Sequence, residues 1–191
     1  MEPRSEVVQK VPNSTITSSL NLTSFTQALF RDKVDSFYLG DESYRTILIF
    51  LAEEKIYFDW GNPKGTGEIL RIELLVPWST DIATDGIPAG NYPMMVRNAD
   101  TSIDKDNIVP FRSVPGLPNC FTVPKWSGAW YVRYADGVWS ESYARLDSGA
   151  VTVERGSDGS HRFICNFGDC SSPSYNITAD VTLTKENITI Y

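Results

Sequence analysis

The chain has 191 residues, a length that suffices for one well-buried core and requires no division into two domains. Hydrophobic residues make up 41% and charged residues 21%, a balance that is typical of a folded globular domain and argues against a disordered chain. Because the formal net charge is −7 and no cluster of Lys and Arg is present, nucleic acid is not an expected partner, and an anionic membrane surface would repel the chain.

Residues 1–19 form the first distinct segment. They are polar, rich in Ser and Thr and without apolar periodicity, and they predict a flexible tail or linker ahead of one domain over residues 20–191. The start carries no apolar stretch typical of a signal peptide, and no apolar run approaches the roughly 18 residues of a membrane span. Two expectations follow: a cytoplasmic chain, or an exported chain whose leader has been removed.

From Leu20 onward, short apolar runs alternate with turn signals at intervals of roughly ten residues, the spacing of a sandwich or barrel. The turn signals combine Gly with Asp or Asn, as in Asp136-Gly137, and favour tight hairpins. The sequence predicts an all-β fold: a single antiparallel β-barrel or strongly curved sandwich with at most one or two short helices. The predicted strands cover residues 44–51, 55–60, 68–76, 91–96, 130–134, 138–143, 150–154, 162–167, 174–183 and 187–191.

Two segments carry other signals. Ser24-Phe-Thr-Gln27 has the spacing of a helix capping box, which allows a short helix over Phe25–Asp32. Residues 110–124 contain four prolines. Because proline cannot donate to a central ladder, this segment is expected to be an edge or a long connection, either a surface crossover or a binding loop.

The hairpin around Asp136-Gly137 is the most informative feature of the chain. A two-residue turn there pairs Tyr134 with Trp139, and counting outward pairs Val132 with Glu141 and Trp130 with Tyr143. All of these side chains then share one face of the hairpin. The predicted ligand-binding residues are Trp130, Tyr134, Trp139, Glu141 and Tyr143.

This aromatic face has two interpretations. Aromatic pairs usually belong to a core, because they bury large areas and interact well across strands. A carboxylate in the middle of such a face is costly to bury without a partner. The face is therefore either a wet cavity or exposed platform with hydrated Glu141, or a barrel core in which an Arg or Tyr satisfies Glu141.

No residue pattern indicates an enzyme. His161 is the only histidine, so a nucleophile–histidine arrangement would have to use it, and an exposed structural role beside the 156–159 turn is the stronger expectation. With 24 acidic residues in the chain, any pair of carboxylates is nonspecific. No catalytic residue, metal or cofactor is predicted.

Two further clusters leave alternatives open. Cys165 and Cys170 either close a small disulfide loop in an oxidising compartment or, with Cys120, are unpaired thiols. The stretch 98–107 is either a calcium loop, through Asp100, Asp104 and Asp106, or a solvated acidic loop, which is favoured because the spacing of an EF-hand is missing.

Three stretches, taken in order, resemble the calycin-like β-barrel domains of Bacteroidetes surface lipoproteins. The first is Phe37-Tyr-Leu-Gly-Asp41 with Tyr44-Arg-Thr-Ile-Leu-Ile-Phe50. The second is Asp85-Gly-Ile-Pro-Ala-Gly-Asn-Tyr92, and the third is Ser148-Gly-Ala-Val-Thr-Val153 with Phe163-Ile-Cys-Asn-Phe167. The chain departs from that family at Asn91 and Ala150, where threonine is frequent. The resemblance spans roughly residues 30–185.

The resemblance implies a calycin-like or lipocalin-like barrel and export. It carries no shared catalytic residue. Proteins of this kind are anchored outside the cell by a lipid-bearing cysteine after a signal peptide, so membrane attachment would run only through a removed N-terminal anchor. A rival interpretation is a glycosylated eukaryotic secreted domain, because four Asn-x-Ser/Thr triplets begin at Asn13, Asn21, Asn176 and Asn187.

Together these features predict a non-enzymatic extracytoplasmic surface domain. Its expected ligand is a glycan or a small amphipathic molecule, bound through the aromatic face. The alternative is a structural or partner-binding surface lipoprotein with no small ligand.

Overall fold

The computed structural model describes residues 12–33, 40–118 and 127–191. Within them the chain is mostly β, as predicted, and no helix is long and apolar enough to cross a membrane. The one α-helix is α1 (Ile82–Asp85), and single 3-10 turns span Lys105–Asn107 and Lys185–Asn187. The strands are β1 (Leu20–Leu22), β2 (Phe25–Asp32), β3 (Tyr44–Glu53), β4 (Ile56–Asp59), β5 (Asn62–Gly65), β6 (Gly67–Pro77), β7 (Gly90–Pro93), β8 (Arg112–Ser113), β9 (Trp130–Ala135), β10 (Val138–Arg155), β11 (His161–Asp169), β12 (Asn176–Leu183) and β13 (Ile188–Ile190).

The segment Phe25–Asp32 is strand β2, and the short helix that its capping-box spacing allowed is wrong. The strand pairs antiparallel with β3 along most of its length. Ala28 and Phe30 are buried on one side of the sheet and Leu29 on the other. Burial on both faces outweighs the weak local preference for a helical turn.

Of the described strands, eleven form one sheet in the order β1-β12-β11-β10-β9-β6-β3-β2-β13, with β7 beside β10 and β8 beside β6. Strands β4 and β5 form a separate hairpin. Neighbouring strands are antiparallel except β1 with β12 and β13 with β2, which are parallel. In the described part of the chain, the sheet order ends at β1 and β13, and no ladder joins these two strands.

Strand β10 is 18 residues long and joins the two halves of the sheet. Its first part pairs with β9, and its second part pairs with β11 and β7. The sequence predicted two separate strands here. In the structure they form one continuous strand, whose ladder with β11 is irregular between Leu146 and Ser148, next to Gly149 with its φ of +101°.

The sheet folds over on itself around a central core. Phe30 of β2 and Phe163 of β11 pack edge to face with ring centroids 5.9 Å apart, although four strands lie between β2 and β11 in the sheet order. Inward side chains of both halves, such as Ile72 and Val153, fill the space between them. This apolar burial supplies the main driving force for the fold.

A second core covers the outward face of β2, β3, β6 and β9. Leu29, Phe50 and Val132 are buried there, and Ile56 of the β4–β5 hairpin packs with them. The hairpin is attached to the β9–β10 turn by a hydrogen bond of 2.7 Å from the Gly137 N–H to the Gly65 carbonyl. The sheet is therefore covered on both faces over these strands.

The proline-rich segment 110–124 contains β8 near its start. This strand pairs antiparallel with β6 and is followed by an irregular connection. Residues 119–124 lie outside the described residues. The expected connection occurs in the described portion, whereas β8 is not an edge strand, because Ser113 pairs with Leu74 on one side and with Met94 on the other.

Residues 12–19 belong to the segment that the sequence predicts as a tail. The Thr15 N–H donates to the Tyr143 carbonyl at 2.9 Å, and the Arg145 N–H donates to the Asn13 carbonyl at 2.8 Å. The Ser14 hydroxyl donates to the Asp169 carboxylate at 2.7 Å. These contacts attach residues 13–15 to β10 and β11, while residues 1–11 lie outside the described residues.

Candidate functional site

The predicted hairpin turn forms at Asp136-Gly137. Both residues have positive φ angles, 51° and 81°, which a type I′ turn requires. The pairs next to the turn, Ala135 with Val138 and Tyr134 with Trp139, are the predicted ones. The turn prediction is therefore confirmed.

The register beyond Trp139 differs from the prediction. The next pair is Tyr143 with Val132, so β10 advances four residues while β9 advances two, and β10 carries a bulge. Glu141 lies in this bulge and is exposed, not opposite Val132 in the middle of the aromatic face, so that part of the prediction is wrong. The bulge removes the carboxylate from a position where burial would be costly.

The four predicted aromatic residues remain on one face, because the bulge adds an even number of residues. Trp130, Tyr134 and Tyr143 are buried in the second core, and Trp139 packs half-buried against them. The Trp139 ring centroid lies 5.4 Å from those of both Trp130 and Tyr143. Burial raises the pKa of Tyr134 to about 12. These rings are core residues, and Tyr134 also lines a cavity.

This cavity is a cleft of about 700 Å³ over the outward face of the sheet. Its floor comes from β2, β3, β6 and β9, and β5 forms one wall. The strand register places Phe50 opposite Arg71 and Leu48 opposite Arg31, so their side chains share the outward face. We call this site the basic cleft, defined by Arg31, Lys33, Phe50, Lys64, Arg71 and Tyr134.

A buried ion network holds the floor of the basic cleft. The Glu73 carboxylate, which is fully buried, lies 3.2 Å from Lys33 Nζ and 3.0 Å from Arg71 Nη1. The Gly128 N–H donates to the same carboxylate at 3.2 Å, and Arg71 also donates to the Gly128 carbonyl. Among the described residues, two cations therefore share this one carboxylate.

Two further cations line the basic cleft outside this network. Arg31 and Lys64 are half-buried, and neither forms an ion pair within the described part of the chain. The Arg31 guanidinium lies over the Tyr191 ring, 5.5 Å from its centroid. Among the described residues that line the cleft, Asp32 is the one carboxylate, and it lies 3.0 Å from Arg45 Nη1. In a protein of net charge −7, this cleft is a local concentration of positive charge.

A second cavity, of about 470 Å³, lies beside α1 and the β10–β11 turn and contains His161 in its wall. His161 is buried, not exposed as expected from its place beside a turn. Its Nε2 accepts a hydrogen bond of 3.1 Å from the Ile87 N–H, so Nδ1 carries the proton and donates to the Gly159 carbonyl at 3.1 Å. Burial, together with the charge of Arg155, lowers the pKa of His161. Both ring nitrogens of the neutral His161 are thus engaged in hydrogen bonds with the backbone.

The described residues include two of the three cysteines and the acidic loop 98–107. Cys165 and Cys170 are unpaired, and burial raises the pKa of both thiols. Cys120 lies outside the described residues. The Asp100 carboxylate accepts hydrogen bonds from Ser102, and within residues 12–33, 40–118 and 127–191 no cluster of metal-ligating side chains occurs.

Sequence reasoning did not identify the cations of the basic cleft. One signal existed: Arg71 and Glu73 stand two positions apart in a mostly apolar strand, so they share a face and must be paired if buried. No comparable signal marks Arg31 or Lys64, which come together only because the β4–β5 hairpin folds back over the sheet.

Comparison with known proteins leaves the site to be interpreted from its own geometry. No family model, no curated protein and no solved structure matches the chain.

Proposed function

We propose that this protein is a non-catalytic extracytoplasmic surface domain that binds a glycan or a small amphipathic molecule in the basic cleft. The observation that carries the proposal is the convergence of four cations and two aromatic rings, from five different strands, on one cleft of about 700 Å³. This volume lies in the range of ligand pockets, about 300–1,000 Å³.

The chemistry of the basic cleft suits binding better than catalysis. Lys33 and Arg71 are held in place by the buried Glu73, which makes the floor preorganised for a ligand. The only histidine lies in the other cavity with both ring nitrogens bonded to the backbone. Proton transfer at that ring would first require these bonds to break.

The architecture that we propose is a calycin-like barrel. Two of the three family-like stretches become neighbours in the sheet: Gly90–Pro93 forms β7, which pairs with residues 150–153 of β10. Residues 163–167 of β11 lie on the other side of β10 and pair with residues 149–153. This adjacency supports a shared architecture. Of the first stretch, residues 37–39 lie outside the described residues.

A lipid-anchored position at the cell surface is the second part of the proposal, and the family resemblance supports it. Fractionation of cells that produce the native protein, followed by protease treatment of intact cells, tests this location. Recovery of the protein in the cytoplasmic fraction would contradict it.

Binding is tested by screening the purified protein against a glycan array and a panel of fatty acids and detergents. The variant Lys64→Ala should lose binding, because Lys64 lines the basic cleft. Its control is Lys105→Ala, which removes an exposed lysine that does not line the cleft. Equal binding by both variants would place the ligand elsewhere. Failure of every probe would favour the alternative of a structural or partner-binding surface protein.

A further inference from the structure

The tip of the β4–β5 hairpin carries an unusual residue. Trp60 and Gly61 form the two-residue turn, with φ angles of 49° and 72°. A left-handed conformation at the first turn position is favourable for Asn, Asp or Gly and strained for a bulky side chain. Trp60 nevertheless occupies it and is 80% exposed.

Packing does not explain this tryptophan. In the part of the chain that the structure describes, its ring forms no aromatic or cation–π contact. A residue that is both strained and exposed indicates a functional demand more than a structural one. An exposed indole offers a flat, electron-rich face to a ligand.

The tip is connected to the cations of the basic cleft through Tyr191. A Cβ added at Gly61 would lie 2.8 Å from the Tyr191 ring, so the ring packs directly against the turn. The Arg31 guanidinium lies on the same ring, 5.5 Å from its centroid. Tyr191 therefore contacts both Arg31 and the turn that carries Trp60, and Asn62 and Lys64 continue from this turn along the wall of the cleft.

The apolar residues of the basic cleft limit the type of ligand. Leu48, Phe50 and Tyr134 are only 6%, 4% and 6% exposed. An acyl chain would gain little from so small an apolar surface, because hydrophobic binding scales with the area removed from water. A polyhydroxylated ring instead forms polar contacts along the wall and packs its C–H face on an indole.

We infer that the ligand of the basic cleft is an acidic saccharide, with its carboxylate or sulfate bound by Arg31 and Lys64 and a sugar ring packed on Trp60. This inference rests on the proposed function and names its ligand class. Tyr191 is a positioning residue that orients Arg31. The charge of the ligand complements cations that have no carboxylate partner within the described residues.

The charge requirement is tested by calorimetric titration with oligogalacturonate, with its fully methyl-esterified form and with inorganic sulfate. The ester keeps the sugar chain of the acid and replaces each carboxylate with an uncharged methyl ester. The acid should bind at least about tenfold more tightly than the ester, since hydrogen bonds to charged groups contribute this much. Arg31→Gln and Lys64→Gln should each remove most of this preference, while Lys105→Gln should not. Added salt should weaken binding of the acid more than binding of the ester.

If oligogalacturonate fails but a sulfated galactan binds with the same dependence on Arg31 and Lys64, the acidic group is a sulfate ester, and the inference stands. If sulfate alone binds as tightly as either oligomer, the site takes an anion only, and the inference fails. If the ester or another neutral glycan binds as tightly as the acid, the proposed function holds and the inference fails. If no saccharide or amphiphile binds, the proposed function itself fails.

The role of Trp60 is tested with Trp60→Asn, which relieves the strained turn. Its melting temperature should be equal to or above that of the unsubstituted protein, because Asn tolerates a positive φ. Binding of the acid and the ester should fall by the same factor, about tenfold or more, since the ring contact is independent of charge. Unchanged affinity would overturn the assignment of Trp60. A marked fall in melting temperature would show a structural role instead.

Discussion

Replacement of Trp130 by alanine tests whether the aromatic face of the β9–β10 hairpin is a packed core. Trp130 is fully buried, and its Nε1–H donates to the Ser127 carbonyl at 3.0 Å. A tryptophan side chain removes on the order of 200 Å² from water, which at about 25 cal/mol per Å² corresponds to about 5 kcal/mol as an upper value. We expect Trp130→Ala to lower the free energy of unfolding by about 3–5 kcal/mol.

Equilibrium unfolding in urea measures this loss, and Glu141→Gln is the matched control on the same hairpin. Because Glu141 is exposed in the bulge, its substitution should change the free energy of unfolding by less than about 0.5 kcal/mol. Trp139→Ala should fall between the two, since that ring is half-buried. A loss below about 1 kcal/mol for Trp130→Ala would refute the packed core. A large loss for Glu141→Gln would refute the observed register.

Three further outcomes follow from buried polar groups. Glu73→Gln should destabilise the protein by about 3–5 kcal/mol in urea unfolding, because it removes the charge that pairs with the buried Arg71 and the half-buried Lys33; a change below about 1 kcal/mol would contradict the network. Ser14→Ala should cost about 1–2 kcal/mol by thermal unfolding, because it removes a hydrogen bond to the ionised Asp169; an unchanged midpoint would show that this segment adds no stability. Since His161 has a pKa lowered from 6.5, the unfolded chain binds the extra proton first, so stability should fall as the pH drops below about 6.5. The stability difference between the unsubstituted protein and His161→Gln should therefore shrink from pH 8 to pH 5, and a constant difference would contradict the buried neutral ring.

The fold class and much of the strand pattern could be predicted from local signals. Strands β3, β6 and β11 follow apolar runs bounded by turn residues, and Asp136-Gly137 forms the expected turn because only a few residues accept two successive positive φ angles. Such signals act over a few residues and depend little on the remainder of the chain. They are weaker where two local preferences compete, as at Phe25–Asp32, where pairing and burial decide for a strand.

The basic cleft could not be predicted in the same way. Its cations come from β2, β5 and β6, and the hairpin that carries Lys64 belongs to the cleft only because it folds back over the sheet. The aromatic face was predicted correctly as a set of side chains that share one side. A ligand-binding role for this face could not be derived from the same pattern, because the strand register changes at the bulge and leaves Glu141 in solvent.

The sequence by itself therefore determined the β-class, the positions of most strands and which aromatic side chains lie together, since a period of two residues assigns side chains to faces. Only the tertiary structure decided which face is covered, where β10 bulges and which cations meet. The physical reason is that strand periodicity sorts residues into two faces without stating what each face packs against. That choice depends on contacts between segments far apart in the chain.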